Sequence, residues 1–289
     1  MLSDALHPWR YVTNALGGSR AVGRARRIVT RLLYDYLARS YPHAEWTTMN
    51  YGYALLPGEL TKNVEVDPSV PEHLALQLYA RLASAAAAAR ASDTLAGLDI
   101  LEIGSGRGGG AIHVAQRFRP QRIVALDLSA TATALARHLH GRTQSVEFVH
   151  GDAENLAFDS ETFDVVLNVE SAHCYRSLSR FLSEVQRVLR PGGCLAFADF
   201  VSRRNGAQEH LLATLTASRL RPIQLDDITV NIVAALAQDE ARKRELLTRH
   251  VRGWFKSFAQ GAYAMEGSAM RRELVAGHTV YVAAVLKKE

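Results

Sequence analysis

The stretch "LDILEIGSGRGGG", Leu98–Gly110, decides the fold of this chain. Leu98, Ile100, Leu101 and Ile103 make a near-continuous apolar run of strand length. Gly104, Gly106 and Gly109 follow at G-x-G-x-x-G spacing, and "AIHVAQRF" (111–118) then reads as a helix. A strand, a glycine turn and a helix in that order let the backbone approach a ligand closely.

Working outward, the same rhythm repeats downstream. "RIVALDLS" (122–129), "VEFVHGD" (146–152), "FDVVLNVE" (163–170) and "GCLAFADF" (193–200) read as strands with helical segments between them. One such segment, "SLSRFLSEVQRVLR" (177–190), ends at "PGG". Strand–helix alternation at this spacing predicts a mostly parallel sheet with helices on both faces. Upstream, "VPEHLALQLYARL" predicts a helix opened by Pro71, with Leu74, Leu78 and Leu82 on one face. Residues 203–270 break the alternation and read as mostly helical, and "HTVYVAAVLKK" closes the chain as another strand. The expected organisation is an N-terminal helical cap (1–92), a ligand-binding α/β core (93–202), a helical lid insertion (203–275) and a final core strand (276–289).

The 289 residues, 48% apolar and 22% charged, have the balance of a soluble globular protein. No apolar run reaches the roughly 18–20 residues of a membrane helix, and "MLSDALHPWRYV" lacks a signal-peptide layout. Cys174 and Cys194 form neither a disulfide framework nor a metal site by spacing, which fits free thiols in a reducing cytoplasm. Residues 1–40 hold seven arginines against two aspartates and so account for the whole net charge of +5. The electrically balanced remainder does not suit nucleic acid. The basic segment "RAVGRARRIVTRLLYDYLARSY" (20–41) reads as the solvated face of an amphipathic helix, with contact to an anionic lipid or phosphorylated substrate as the alternative.

A second strand ending in Asp127 places a carboxylate where ribose hydroxyls can donate to it. To that point a nicotinamide dinucleotide and S-adenosylmethionine fit equally. Glu102, two residues before Gly104, favours a cationic methionine tail and would repel a pyrophosphate. "GDAENLAF" adds Asp152, placed to accept from an adenine amino group, and "EVQRVLRPGG" supplies a helix, a turn and the fifth strand.

In order and spacing, "LEIGSGRGG", "ALDLS", "GDAENLAFDSETFDVVLNVE" and "VLRPGG" closely resemble the successive motifs of class I S-adenosylmethionine-dependent methyltransferases, over about residues 95–200. The resemblance implies a Rossmann-like, mostly parallel, seven-stranded sheet. It implies that Gly104 and Gly106 flank the methionine moiety, that Asp127 holds the ribose, and that Asp152 with Ala153 holds the adenine. Glu102, Ser105, Leu128 and Asn168 join them as expected cofactor-binding residues.

Methyltransferases of this class that act on nucleic-acid amino groups carry an Asn/Asp-Pro-Pro-aromatic segment after the fourth strand. Here "NVESAHCY" stands in that place, which argues for a small molecule. The longer run "GDAENLAFDSETFDVVLNVESAHCY" resembles bacterial lipid methyltransferases that act on phthiotriol-type polyketide alcohols. "NVES" with Tyr175 is similar to the geranyl diphosphate C-methyltransferases, and sterol and tocopherol C-methyltransferases also place a glutamate at this strand end. "EWTTMNYGYA" (45–54) resembles the Tyr-Gly-aromatic segment of the sterol enzymes.

Chemistry gives these residues roles. Methylating an alkene leaves a carbocation, which Glu170 can stabilise and deprotonate while Trp46, Tyr51, Tyr53 and Tyr175 shield it through their ring faces. Methylating a hydroxyl needs a general base, for which His173 has the suitable ordinary pKa. A diphosphate needs cations, and "SRRNG" (202–206) offers Arg203 and Arg204. The preferred expectation is transfer to a carbon–carbon double bond of a prenyl diphosphate, geranyl diphosphate first, with Mg²⁺ carried by the substrate and no protein-only metal site. The alternative is O-methylation of a polyketide or lipid alcohol. A nicotinamide-dependent oxidoreductase is a distant third, and a binding-only module carries least weight. The expected partner is a lipid or isoprenoid small molecule, with no nucleic acid and no stable membrane insertion, and a homo-oligomer is compatible with the sequence.

Overall fold

The computed structural model describes residues 32, 35–59, 62–251 and 255–289, so the basic segment 20–41 lies largely outside the described residues. Five strands run parallel: β1 (Asp99–Ile103), β2 (Arg122–Asp127), β3 (Val146–His150), β4 (Phe163–Val169) and β5 (Leu189–Ser202). With β6 (Arg221–Asp227) and β7 (Thr279–Lys287) they form a seven-stranded sheet in the order β3-β2-β1-β4-β5-β7-β6. Only β7 is antiparallel to its neighbours.

Successive strand residues point to opposite faces, and each face is buried. Ile100, Val165 and Cys194 pack with α1 (His73–Ala89) and α2 (Gly109–Phe118). Leu101, Val166 and Leu195 pack on the other side with α4 (Leu178–Val188) and α5 (Ala207–Thr216). Burial on both faces is why the central strands read as unbroken apolar runs. Between β2 and β3 runs α3 (Ala130–His140), capped by Ser129, whose hydroxyl accepts from Ala132 N at 2.9 Å. The chain leaves β1 towards β2 and β3, then returns to place β4 on the other side of β1. A crevice opens at such a reversal, outside the carboxyl ends of the strands.

Two boundaries differ from the sequence reading. Pro71 lies in the turn before α1, and the helix starts only after Glu72, which takes a left-handed φ of 60°. The interval 203–275, read as helical, holds α5, α6 (Thr229–Gln238), α7 (Glu240–His250), α8 (Phe255–Ala262) and α9 (Ala269–Val275), but also β6. β6 is the edge strand, exposed or half-exposed along its length and containing Pro222, Asp226 and Asp227. An edge strand tolerates proline and needs no apolar run, so nothing periodic announces it. Among the described residues no helix is long and apolar enough to cross a membrane.

Candidate active site

The turn after β1 is held against β2: Gly104 N and Ser105 N both donate to the Leu126 carbonyl, at 2.8 and 3.1 Å. Gly104 has φ +82°, and a Cβ there would collide with the Ser171 side chain. Gly106 is also left-handed (φ +54°), yet no protein atom lies within 4 Å of where its Cβ would sit. The first glycine is required by neighbouring protein, and the second leaves room for a ligand.

The crevice, counted together with the open solvent at its mouth, spans about 970 Å³, with Ser105, Leu128, Asp152, Ala153, Glu170 and Tyr175 on its wall. Asp127 also lines it, and its two oxygens accept from Gly106 N and Ser129 N, each at 2.8 Å. A carboxylate keeps further lone pairs after two such bonds, so ribose hydroxyls can still donate to it. Asp152 Oδ1 accepts from Glu154 N at 3.0 Å, which fixes the loop after β3.

Glu102 and Asn168 do not line the crevice; they stand behind it. Glu102 is 1% exposed, and no donor meets either carboxylate oxygen in full hydrogen-bond geometry, although the Tyr79 hydroxyl is close enough to favour its charge. Burial lifts its pKa to about 7; the charge of Asp127 adds to the rise, while the nearby Tyr79 hydroxyl opposes it. An uncompensated buried acid beside a ligand crevice is relieved by a cation there. Asn168 Nδ2 instead braces the floor, donating to Ile103 O (3.1 Å), Ser171 Oγ (2.7 Å) and Tyr175 Oη (2.8 Å). An orphaned acid, an open glycine cradle, and carboxylates at the ends of β2 and β3 fit S-adenosylmethionine.

Glu170 stands at the end of β4 with a left-handed φ of 46°. Its Oε1 accepts from Tyr51 N and from the Tyr281 hydroxyl, both at 2.7 Å. Burial raises its pKa to about 7; those two donors and His173 oppose the rise, and the charge of Asp199 adds to it. His173 is held differently. Its Nδ1 meets Asp199 Oδ1 at 2.8 Å, its backbone N donates to Asp199 Oδ2 at 2.9 Å, and its ring packs 4.5 Å from that of Phe200. Burial works against the imidazolium, yet the Asp199 carboxylate overrides it and holds the pKa well above the usual value. His173 thus lies off the crevice wall with its Nδ1 engaged by Asp199, an arrangement that does not suit its reading as a base.

The aromatic residues divide. Tyr175 lines the crevice, its hydroxyl 2.8 Å from Ser171 Oγ. Tyr51 is buried and stacks on Phe200 at 5.6 Å, approaching Glu170 through its amide rather than its ring. Tyr53 turns into the core, where its hydroxyl donates to Glu59 at 3.0 Å and its pKa is pushed up to about 12 by burial and that carboxylate. Trp46 is also core: the Arg107 guanidinium lies 4.3 Å from its ring, so the cation it serves is internal. Arg203 and Arg204, expected at a diphosphate, are about half exposed and pair with Asp227 and Glu273 at 3.3 and 3.1 Å. The carboxylates that claim them come from β6 and α9, distant in sequence. Among the described residues no group of three or more acids, histidines or cysteines is arranged to hold a metal ion.

In the strap 45–54, sequence reasoning picked out the aromatic residues and missed the polar ones that line the crevice. Thr47, Thr48 and Asn50 line it. Glu72 accepts from both threonine amides (2.8 and 3.1 Å) and both threonine hydroxyls (2.5 and 2.7 Å). From the turn beneath, Arg107 donates to the carbonyls of Leu37, Tyr41 and Trp46 at 2.7–3.0 Å. The "R" of "SGRGGG" was the available signal, since a bulky cation in a glycine turn needs a reason. Asp199 and Tyr281 were missed too.

The strand order, the glycine turn and the acids at the carboxyl ends of β1, β2 and β3 define a class I methyltransferase architecture. A family model described as a methyltransferase domain matches residues 101–197. The phthiotriol/phenolphthiotriol dimycocerosates methyltransferase of Mycobacterium tuberculosis is 33% identical over 253 residues, 88% of this chain and 89% of that one. The fatty-acid O-methyltransferase of Mycolicibacterium smegmatis is 37% identical over 172 residues, 58% of each chain. The solved geranyl diphosphate methyltransferase in complex with GPP and sinefungin shares the fold, with a TM-score of 0.66 at 15% identity over 91% of this chain and 100% of that one. The chain belongs to the family of S-adenosylmethionine-dependent methyltransferases that these relatives represent.

Proposed function

We propose that this enzyme methylates the hydroxyl oxygen of a lipid-like alcohol, with Glu170 as the general base. One observation carries the choice of acceptor. Arg107 is the one cationic side chain on the described crevice wall, and its guanidinium is spent on three backbone carbonyls and the Trp46 ring. Arg203 and Arg204, the arginines expected at a diphosphate, are ion-paired at the surface and do not line the crevice. A neutral acceptor needs no cation. The M. tuberculosis relative, whose name carries a triol, supports the alcohol, and the M. smegmatis relative, named a fatty-acid O-methyltransferase, supports transfer to oxygen of a lipid-like acceptor.

When bound, S-adenosylmethionine supplies an electrophilic methyl group and departs as a neutral thioether. Asp127 and Asp152 would hold the ribose and adenine, and the buried charge of Glu102 would favour the cationic end. Thr47, Thr48 and Asn50 of the strap line the crevice, where they would help shield the reacting groups from water. Glu170 takes the hydroxyl proton as that oxygen's electron pair forms the new O–CH₃ bond, and its pKa of about 7 suits proton transfer near neutral pH.

A second reading, transfer to a carbon–carbon double bond as in prenyl diphosphates, is favoured by the presence of both Glu170 and Tyr175 in the crevice lining, which offers an acid and an aromatic ring. A tritiated-methyl assay across a long-chain secondary alcohol, a phenolic lipid, geranyl diphosphate and farnesyl diphosphate tests the choice. We expect label in an acid-stable methyl ether of the alcohol or phenol. Label confined to the prenyl diphosphates would overturn the proposal in favour of the second reading.

A further inference from the structure

The last strand contributes a side chain to the site. Tyr281, on β7, is completely buried and lies opposite Phe200 of β5 in the sheet register. Its backbone is fixed on both sides: Tyr281 N donates to Thr229 Oγ1 at 2.8 Å, and Tyr281 O accepts from Ile228 N at 2.9 Å. A buried phenol needs a hydrogen-bond partner, and this one donates to Glu170 Oε1 at 2.7 Å. The same oxygen receives the Tyr51 amide at 2.7 Å, whereas Oε2 accepts no hydrogen bond from the described residues.

We propose that Tyr281 is a positioning residue for methyl transfer: with the Tyr51 amide it saturates Oε1 of Glu170 and presents Oε2 alone to the proton of the acceptor hydroxyl. This rests on the assignment of Glu170 as base. The O–H proton goes to Oε2, the oxygen's electron pair goes to the methyl carbon, and the pair of the broken C–S bond stays on the departing thioether. Tyr281 keeps its own proton throughout. Burial, with the charges of Glu170 and Asp199, holds that phenol well above its usual pKa, so it acts only as a donor.

The charged and titratable groups facing Glu170 come from every element around it. They are Tyr51 from the strap, Tyr79 from α1, His173 from the turn after β4, Asp199 from β5, Lys243 from α7 and Tyr281 from β7. Removing only the Tyr281 hydroxyl takes away a donor to the charged carboxylate and leaves the other five in place.

The test is Tyr281→Phe, with turnover followed from pH 5.5 to 9 and S-adenosylhomocysteine binding measured by calorimetry. We expect kcat to fall about 10- to 100-fold, with acceptor KM and S-adenosylhomocysteine affinity within about twofold, and the acid limb of kcat to move up by about one pH unit. In a Glu170→Gln background the same change should cost almost nothing further. Site-specific 3-fluorotyrosine at 281 keeps the shape, strengthens the donor and should move the limb down, which preserves the test if Tyr281→Phe folds poorly. An unmoved limb in both variants, or an equal loss in the Glu170→Gln background, would assign Tyr281 to packing and overturn the proposal. Normal turnover in Glu170→Gln alone would instead overturn the base assignment on which it rests.

Discussion

Asp199 grips His173 at two points, its Oδ1 2.8 Å from the ring Nδ1 and its Oδ2 2.9 Å from the backbone N. The pair is buried on both sides, at 8% and 3% side-chain exposure, and it ties the turn after β4 to β5. A histidine whose folded pKa is raised contributes stability fully present below its unfolded value near 6.5. That contribution is lost as pH rises through the folded value. Asp199→Asn should therefore cost about 3 kcal/mol at pH 6, a melting shift of roughly 6–10 °C for a chain of this size. The gap from wild type should narrow in alkaline buffer. Melts at pH 6 and pH 9.5 check it, and a gap that widens with pH would contradict the assignment.

In the proposed mechanism Glu170 sets the pH dependence of the reaction. With its pKa raised to about 7, the ionised form is half populated near neutrality and dominates above it. Turnover should rise about tenfold per pH unit below that point and level off above it. Glu170→Gln should bind S-adenosylhomocysteine normally and lose at least ~100-fold in kcat. Steady-state rates and calorimetry on the same preparation separate the two effects.

Glu102 is predicted to weaken the empty protein and strengthen the loaded one. Its pKa is raised from 4.5 to about 7, so the folded state holds a proton that the unfolded chain releases between those values. Stability contributed by that proton is present below pH 4.5 and is gone above pH 7. Glu102→Gln should then stabilise the ligand-free enzyme at pH 8 by on the order of 2–3 kcal/mol. The same change should weaken S-adenosylmethionine binding about tenfold. Scanning calorimetry with and without the ligand reads both.

Gly104→Ala should destroy cofactor binding. The residue is left-handed at φ +82°, and a methyl group there runs into Ser171. Ser171 in turn bonds Ile103 O at 3.1 Å and Tyr175 Oη at 2.8 Å, so displacing it disturbs the crevice wall as well as the turn. We expect S-adenosylhomocysteine affinity to drop at least ~100-fold, with a stability loss of about 1–3 kcal/mol. An affinity within threefold of wild type would contradict this account.

The core was legible because its signals are local. β1, its glycine turn and α2 occupy one continuous stretch, and two-sided burial writes the central strands as apolar runs. β6 escaped because an exposed edge needs no such run. Asp127 and Glu170, each singled out by its own chemistry at a strand end, both line the crevice, whereas a residue whose surroundings are set by a distant partner is illegible. Trp46 reads as an aromatic wall until Arg107, 61 positions away, is found against it. Arg203 and Arg204 read as anion binders until Asp227 and Glu273 are found beside them. Tyr281 sits in "TVYVAAV" like any core tyrosine, and only its position opposite Phe200 directs its hydroxyl to Glu170.

One of the two donors on Glu170 is a main-chain amide of the strap itself. Were Tyr51 displaced, the carboxylate would lose a partner that favours its charge and would take up a proton more readily. In the proposed reaction the seat of the strap and the readiness of the base are therefore one contact, running through a peptide bond that every residue at position 51 other than proline supplies.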